Sequence, residues 1–284
     1  MAEKSGGCAR EAAREAARGR CRSAPVTGEY TSPGDNGNEQ PPWSRLAAPK
    51  RGRPAWKEIS ISAERTRAPA AGNRVTHAEA ARILADRDPV VARLVADAGL
   101  PRFRRPQESH FAALLRAIVY QQLAGAAAAA IHGRVIAALG DVTPEAVAAA
   151  SDGALRTAGL SGNKVASLRD LAAKVLDGTV VLSPRGLARQ GDDEVKARLT
   201  AVRGIGPWTA DMFLLFQLRR LDVWPTGDLG VRRGYGLAWN IPAPSARELQ
   251  PLGDPYRPYR SVVAWYCWRA AELYAGAAAS ALTR

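Results

Sequence analysis

Two features of this 284-residue chain have residue types and spacing suited to chemistry. One is the run Leu199-Thr-Ala-Val-Arg-Gly-Ile-Gly-Pro-Trp-Thr-Ala210, and the other is a lone carboxylate, Asp228, 18 residues further on. Gly204 and Gly206 allow a tight turn and the close approach of another backbone. Pro207 suits the first position of a helix, where its missing N–H costs nothing. The first-turn N–H groups there, together with the helix dipole, favour an anion. Arg203 and Thr209 flank the corner. This helix–hairpin–helix pattern is a device for holding a phosphate, and it is not a nucleotide-binding P-loop because no Gly-Lys-Ser/Thr follows. A carboxylate at a fixed distance from a held backbone can stabilise positive charge developing on a sugar. The pair therefore points to a protein that grips DNA and works at a deoxyribose. The competing assignments are an ordinary glycine turn for the hairpin and a helix N-cap for Asp228.

The bulk of the chain agrees with a polyanionic partner. Its formal charge is +13 and its pI about 10.3, values that favour nucleic acid or an anionic membrane. No apolar run approaches the roughly 18 residues of a membrane span, and the first residues lack the apolar core of a signal peptide. The expectation is a soluble, cytoplasmic, nucleoid-associated protein. Cys8, Cys21 and Cys267 are too few and too scattered for a disulfide framework, an all-cysteine zinc site or an iron–sulfur cluster. His77, His110 and His132 have no metal-binding spacing, and nothing implies a cofactor.

Elements that would position these groups begin near residue 75. Residues 1–74 are low in large apolar residues and carry 14 Lys and Arg against 8 Asp and Glu, which reads as a basic, disordered tail. Within it, Glu11–Arg18 could form a transient helix. Pro49-Lys-Arg-Gly-Arg-Pro54 is similar to an AT-hook core, with a solvated basic linker as the alternative. A later translation start near Val75 is the other explanation of the segment. From Thr76 onward the pattern is helical and the class is all-α. Thr76-His-Ala-Glu79 reads as a capping box, and Asp88-Pro89 opens a second helix. Phe111–Ala124 has apolar residues at 111, 114, 115, 118 and 119. Further helices are expected to Leu139, from Thr143, over 155–160, 164–176, 193–202 and 207–218, from Asp228, and over 245–249 and 261–273. Thr179–Leu182 is the one strand candidate. Residues 75–284 would then form a helical domain of two lobes with a cleft between them.

These residues taken in order resemble the DNA-3-methyladenine glycosylase II family, within the helix-hairpin-helix glycosylase superfamily. The resemblance spans roughly residues 76–275. It rests on Ile118-Val-Tyr-Gln-Gln-Leu123, Gly159-Leu-Ser-Gly-Asn-Lys164, the hairpin, Trp224-Pro-Thr-Gly-Asp-Leu-Gly-Val231, and Tyr259-Arg-Ser261 with Trp265. It implies a glycosylase in which Asp228 is catalytic. An alkylated purine already carries positive charge and leaves easily, so one carboxylate suffices where sugar hydrolases use two. Bifunctional members of the superfamily carry a Schiff-base lysine where this chain has Trp208, so the resemblance implies a monofunctional enzyme. The family's additional N-terminal β domain has no counterpart in residues 76–110, which read as helix. Relatives can bind a monovalent cation on hairpin carbonyls, but no side chain here signals one.

A base inside a duplex must be flipped out to be reached. A cationic base would stack on aromatic faces. Trp208 and Met212 lie four apart on one helix face, and the resemblance puts both in the base pocket. Relatives can carry an aromatic residue in place of Met212. Tyr120, Trp265 and Trp268 are the other candidate walls, with core packing as the alternative for both tryptophans. Gln122 stands where the stripe Phe111, Leu115, Ile118 calls for an apolar residue. Gln121 and Gln122 are therefore candidate DNA contacts, one filling the gap left by the flipped base. Lys164, Arg203, Arg232 and Arg233 are candidate phosphate contacts, with solvated charge as the alternative for each. The expected partner is double-stranded DNA containing damaged bases, bound by a monomer. The rival readings are a non-catalytic hairpin protein that only binds DNA, and a glycosylase for oxidised or deaminated bases.

Overall fold

The computed structural model describes residues 75–123 and 125–281, with side chains to residue 275. Residues 1–74, and with them Glu11–Arg18, Pro49–Pro54, Cys8 and Cys21, lie outside the described residues. All regular structure described is helical. Most helices start where a short polar side chain can accept from the first free amides. Helix α1 (His77–Ala85) opens on a complete capping box, with Glu79 N donating to Thr76 Oγ1 and Thr76 N donating to Glu79 Oε2. Helix α2 (Pro89–Ala98) is capped by Asp88, and α3 (His110–Tyr120) by Ser109. After α4 (Gly125–Leu139) come α5 (Pro144–Ala149), α6 (Asp152–Thr157), α7 (Gly162–Leu176) and α8 (Pro184–Arg189), capped by Thr143, Ser151, Ser161 and Ser183. Each such cap contributes about 1 kcal/mol.

The hairpin helices are α9 (Asp192–Thr200) and α10 (Pro207–Met212), and α10 runs on into a π-type turn over Phe213–Gln217. Helix α11 (Leu229–Trp239) starts at Asp228, and α12 (Ala246–Leu252) starts at a Ser245–Glu248 capping box. A short 3₁₀ turn (Asp254–Tyr256) leads to α13 (Arg260–Ala281).

The expected strand is absent. Val180 N donates to Lys174 O at 2.7 Å, and the Val180 side chain is buried against the core after α7. With no neighbouring strand, an extended 179–182 would leave its backbone groups unpaired. The helix expected over 155–160 ends at Thr157, because Gly159 turns the chain with φ +106°. The helix expected to reach Ala124 stops at Tyr120.

The apolar stripe Phe111, Leu114, Leu115, Ile118 and Val119 is buried, as its spacing requires. Helix α3 packs on α4, α7 and the π turn, while α5 and α6 pack on α7. Helices α1, α2 and α11 pack on α13, whose residues 260–270 are buried all round. The α11–α13 contact is the most extensive, and it depends on Gly234. A methyl group there would lie 1.7 Å from Cys267 O. Gly234→Ala is therefore expected to force the two helices apart and lower stability by about 3 kcal/mol or more, read as the shift in a urea or thermal midpoint. Among the described residues no helix is long and apolar enough to cross a membrane.

Candidate active site

The hairpin turns on residues that split between core and surface. Val202 and Ile205 are buried, whereas Arg203, Gly204 and Gly206 are exposed. Gly204 has φ +78°, and a Cβ there would sit 2.6 Å from Ser167 Oγ on α7. Gly206 is the N-cap of α10 and brings no side chain across the end of the helix, so the first-turn amides stay open to an anion. Arg203 is tied to α7 rather than free. Its amide donates to Asp170 Oδ2 at 2.7 Å, and its guanidinium donates to Asn163 Oδ1 at 3.3 Å. Thr209, a candidate for the DNA-binding corner, has its side chain buried.

Asp228 is 6% exposed and each of its oxygens is engaged. Oδ1 accepts from Val231 N at 2.8 Å, the N-cap bond of α11, and from Trp268 Nε1 at 2.9 Å. Oδ2 accepts from Trp208 Nε1 at 2.6 Å. The helix cap uses only Oδ1, so capping and chemistry are compatible roles for one acid. Trp208 is the second residue of α10, which joins the acid to the hairpin through one side chain. The charge of Asp228 is felt nearby. Burial raises the pKa of the Asp211 carboxyl, the Lys196 partner at 2.7 Å opposes this, and Asp228 adds to the rise. The Cys267 thiol is likewise pushed up, by burial first and by Asp228 second.

Two indoles touch the acid, and a row of aromatic rings runs on from one of them. Trp208 and Met212 are half-buried. The Trp268 ring lies 5.7 Å from Phe216, Phe216 lies 5.9 Å from Phe103, and His77 stacks on Phe103 at 4.0 Å. Burial, with Arg219 nearby, lowers the His77 pKa to about 4 and leaves that ring uncharged at neutral pH. Trp265 is not a wall: at 1% exposure it packs in the core against Tyr266. Tyr120 packs edge-on against His132. Among the described residues no group of three His, Cys, Asp or Glu could hold a metal ion.

Residues 115–254 match the HhH-GPD superfamily of base excision DNA repair proteins. The chain is 34% identical to DNA-3-methyladenine glycosylase 1 of Schizosaccharomyces pombe over 164 residues, 56% of this chain and 72% of that protein. The crystal structure of a DNA-3-methyladenine glycosidase from Bacillus halodurans superimposes with a TM-score of 0.65 at 34% identity. That match covers 69% of this chain and 91% of the other. A Schizosaccharomyces pombe 3-methyladenine DNA glycosylase in complex with abasic DNA gives a TM-score of 0.59 at 32% identity, over 69% of this chain and 97% of its own. The chain belongs to the DNA-3-methyladenine glycosylases of the HhH-GPD superfamily.

In this glycosylase the corner after α3 is an unusual turn. Leu123 N donates to Tyr120 O at 3.3 Å, Gln121 has φ −54° and ψ 131°, and Gln122 has φ +57°. This is a type II turn with glutamine where glycine is the usual residue. The Gln122 side chain is exposed, and Gln121 Nε2 donates to Gly204 O at 2.8 Å. The two glutamines thus divide the work, one facing solvent and the other holding the hairpin. Lys164 is not an outward phosphate contact. Its Nζ donates to Val119 O and Gln121 O, both at 2.7 Å, and burial lowers its pKa. Arg232 is also used internally, its Nε donating to Pro244 O, while Arg233 is exposed.

Sequence reasoning did not single out Phe216, which packs on Trp268, or Asp211, which interacts with the acid, and it left Trp268 undecided. One available signal was Gly230, two residues after the acid. A Cβ there would lie 2.8 Å from Trp268 Cδ1, so the glycine makes room for the indole.

Proposed function

We infer that this chain is a monofunctional DNA glycosylase that flips alkylated purines such as 3-methyladenine out of double-stranded DNA and hydrolyses their N-glycosidic bond, in base excision repair. The observation that carries the reading is Asp228, a buried carboxylate held by two indole N–H groups and a backbone amide next to a glycine hairpin. Cleavage passes through an oxocarbenium-like sugar. A fixed negative group beside it stabilises that charge and can orient or deprotonate the attacking water. The half-buried Trp208 and Met212 offer the extruded base a polarisable face. The exposed hairpin amides would hold a phosphate of the same strand, and Gln122 would fill the gap in the stack. The two packing groups of helices, one carrying the hairpin and the other α11 and α13, would form the lobes on either side of the lesion. The protein would act as a monomer on DNA inside the cell.

Two further observations support the monofunctional assignment. Trp208 has no amine, and the lysines near the hairpin are engaged, Lys196 with Asp211 and Lys164 with carbonyls. The test is a panel of duplexes carrying 3-methyladenine, an oxidised purine and a deaminated base, assayed for free base and, with borohydride, for covalent trapping. Release of the alkylated purine without trapped protein is the expected result. A trapped complex would overturn the monofunctional assignment, and release of only the oxidised or deaminated base would overturn the substrate class.

A further inference from the structure

We infer that Lys164 is a positioning residue for base extrusion: by bridging Val119 O and Gln121 O it locks the turn that presents Gln122 to the duplex, in register with the hairpin. This rests on the glycosylase reading above. A non-glycine residue at φ +57° costs about 1–2 kcal/mol and persists only where its surroundings fix it. Glycine would form the same turn without help, so a glutamine there needs a restraint, and the ammonium supplies it. The ammonium sits at the C-terminal end of α3, where the helix dipole favours a cation. It has no carboxylate partner among the described residues: both of its acceptors are backbone carbonyls, so its charge is spent on fixing the chain path.

The same stretch of α7 also holds the other half of the DNA-facing surface. Asn163 and Asp170 bond Arg203, and Ser167 packs against Gly204. Gln121 closes the bracket by donating to Gly204 O. Helix α7 therefore sets the separation between the side chain that enters the base stack and the corner that holds the strand. Asp228 is not part of this bracket. Loosening the bracket misplaces Gln122 and slows extrusion, while the hydrolytic step on a base already extruded keeps its machinery.

The test compares single-turnover base release from two duplexes. In one the lesion is paired and stacked. In the other it lies in a small bulge, where extrusion costs less. Lys164→Met keeps the methylene stem and loses the ammonium. It is expected to lose about a hundredfold on the paired lesion, the scale of a misplacement of about 1 Å, and much less on the bulged one. Lys164→Arg, which keeps the charge, is expected to recover most of the loss. Gln121→Leu is expected to show the same selective defect, and it decides the matter if Lys164→Met fails to fold in a thermal melt. An equal loss on both duplexes, or no loss on the paired lesion from a folded variant, overturns the proposal and leaves the glycosylase reading standing. If the unmodified protein releases no base from either duplex, the glycosylase reading itself falls and takes the proposal with it.

Discussion

Replacing Asp228 by asparagine is expected to stop base release while leaving the fold and duplex binding in place. Asparagine is as good an N-cap as aspartate. Its carbonyl oxygen can keep the bonds from Val231 N and Trp268 Nε1 that Oδ1 now accepts. Its amide nitrogen would then face Trp208 Nε1, donor against donor, where Oδ2 now accepts at 2.6 Å. Losing that one bond in a buried place costs about 1–3 kcal/mol, which a thermal melt would register as a modest shift. The chemical consequence is larger. The negative charge that the glycosylase reading places at the sugar is gone, and with it the stabilisation of the oxocarbenium-like state. Loss of one preorganised electrostatic group costs at least about a hundredfold in rate, read as single-turnover release of 3-methyladenine. Affinity for a duplex with an abasic analogue should hold or rise slightly, since a negative group near phosphates has been removed. Equal turnover by both forms would sink the catalytic assignment and favour the hairpin protein that only binds.

The parts of the site legible in the sequence were those written in local spacing. The hairpin's glycines, its proline and the stripe ending at Ile118 and Val119 each depend on neighbours within a few residues, and their helices start within a residue of where they were expected, although they end earlier or change to a π turn. The acid was legible for the same reason, as a cap residue opening α11. What stayed hidden depends on partners far along the chain. Lys164 reads as a phosphate contact until its acceptors, 45 and 43 residues away, are known. Trp265 and Trp268 lie three apart on the stretch of α13 that is buried all round, so no periodicity could say which indole meets the acid. Phe216 falls in the π turn, where a 3.6-residue reading of Pro207–Leu218 loses register. Phe103 lies in a loop with no period at all, and only the fold brings its ring against His77 and Phe216.

Trp268→Phe is the second substitution expected to act strongly on base release. The change keeps a ring beside Phe216 but removes the Nε1 donor that reaches Asp228 Oδ1 at 2.9 Å. Trp268 is 8% exposed, so water does not readily replace the lost donor. The carboxylate then retains Val231 N on that oxygen and Trp208 Nε1 on the other, and it can pivot about the cap bond toward Trp208. Such a pivot moves the charge relative to the sugar carbon, and displacement on the scale of 1 Å costs up to about a hundredfold. The substitution should therefore lower single-turnover release by about ten- to a hundredfold while leaving affinity for an abasic duplex unchanged. Trp265→Phe is the internal control. That ring packs in the core at 1% exposure against Tyr266, and the donors on the acid are Trp208, Val231 and Trp268, so its loss should appear in the melting midpoint before it appears in the rate. If the two variants lose activity in proportion to their loss of stability, Trp268 is a packing residue and the orientation of Asp228 is set by Trp208 and the helix cap alone.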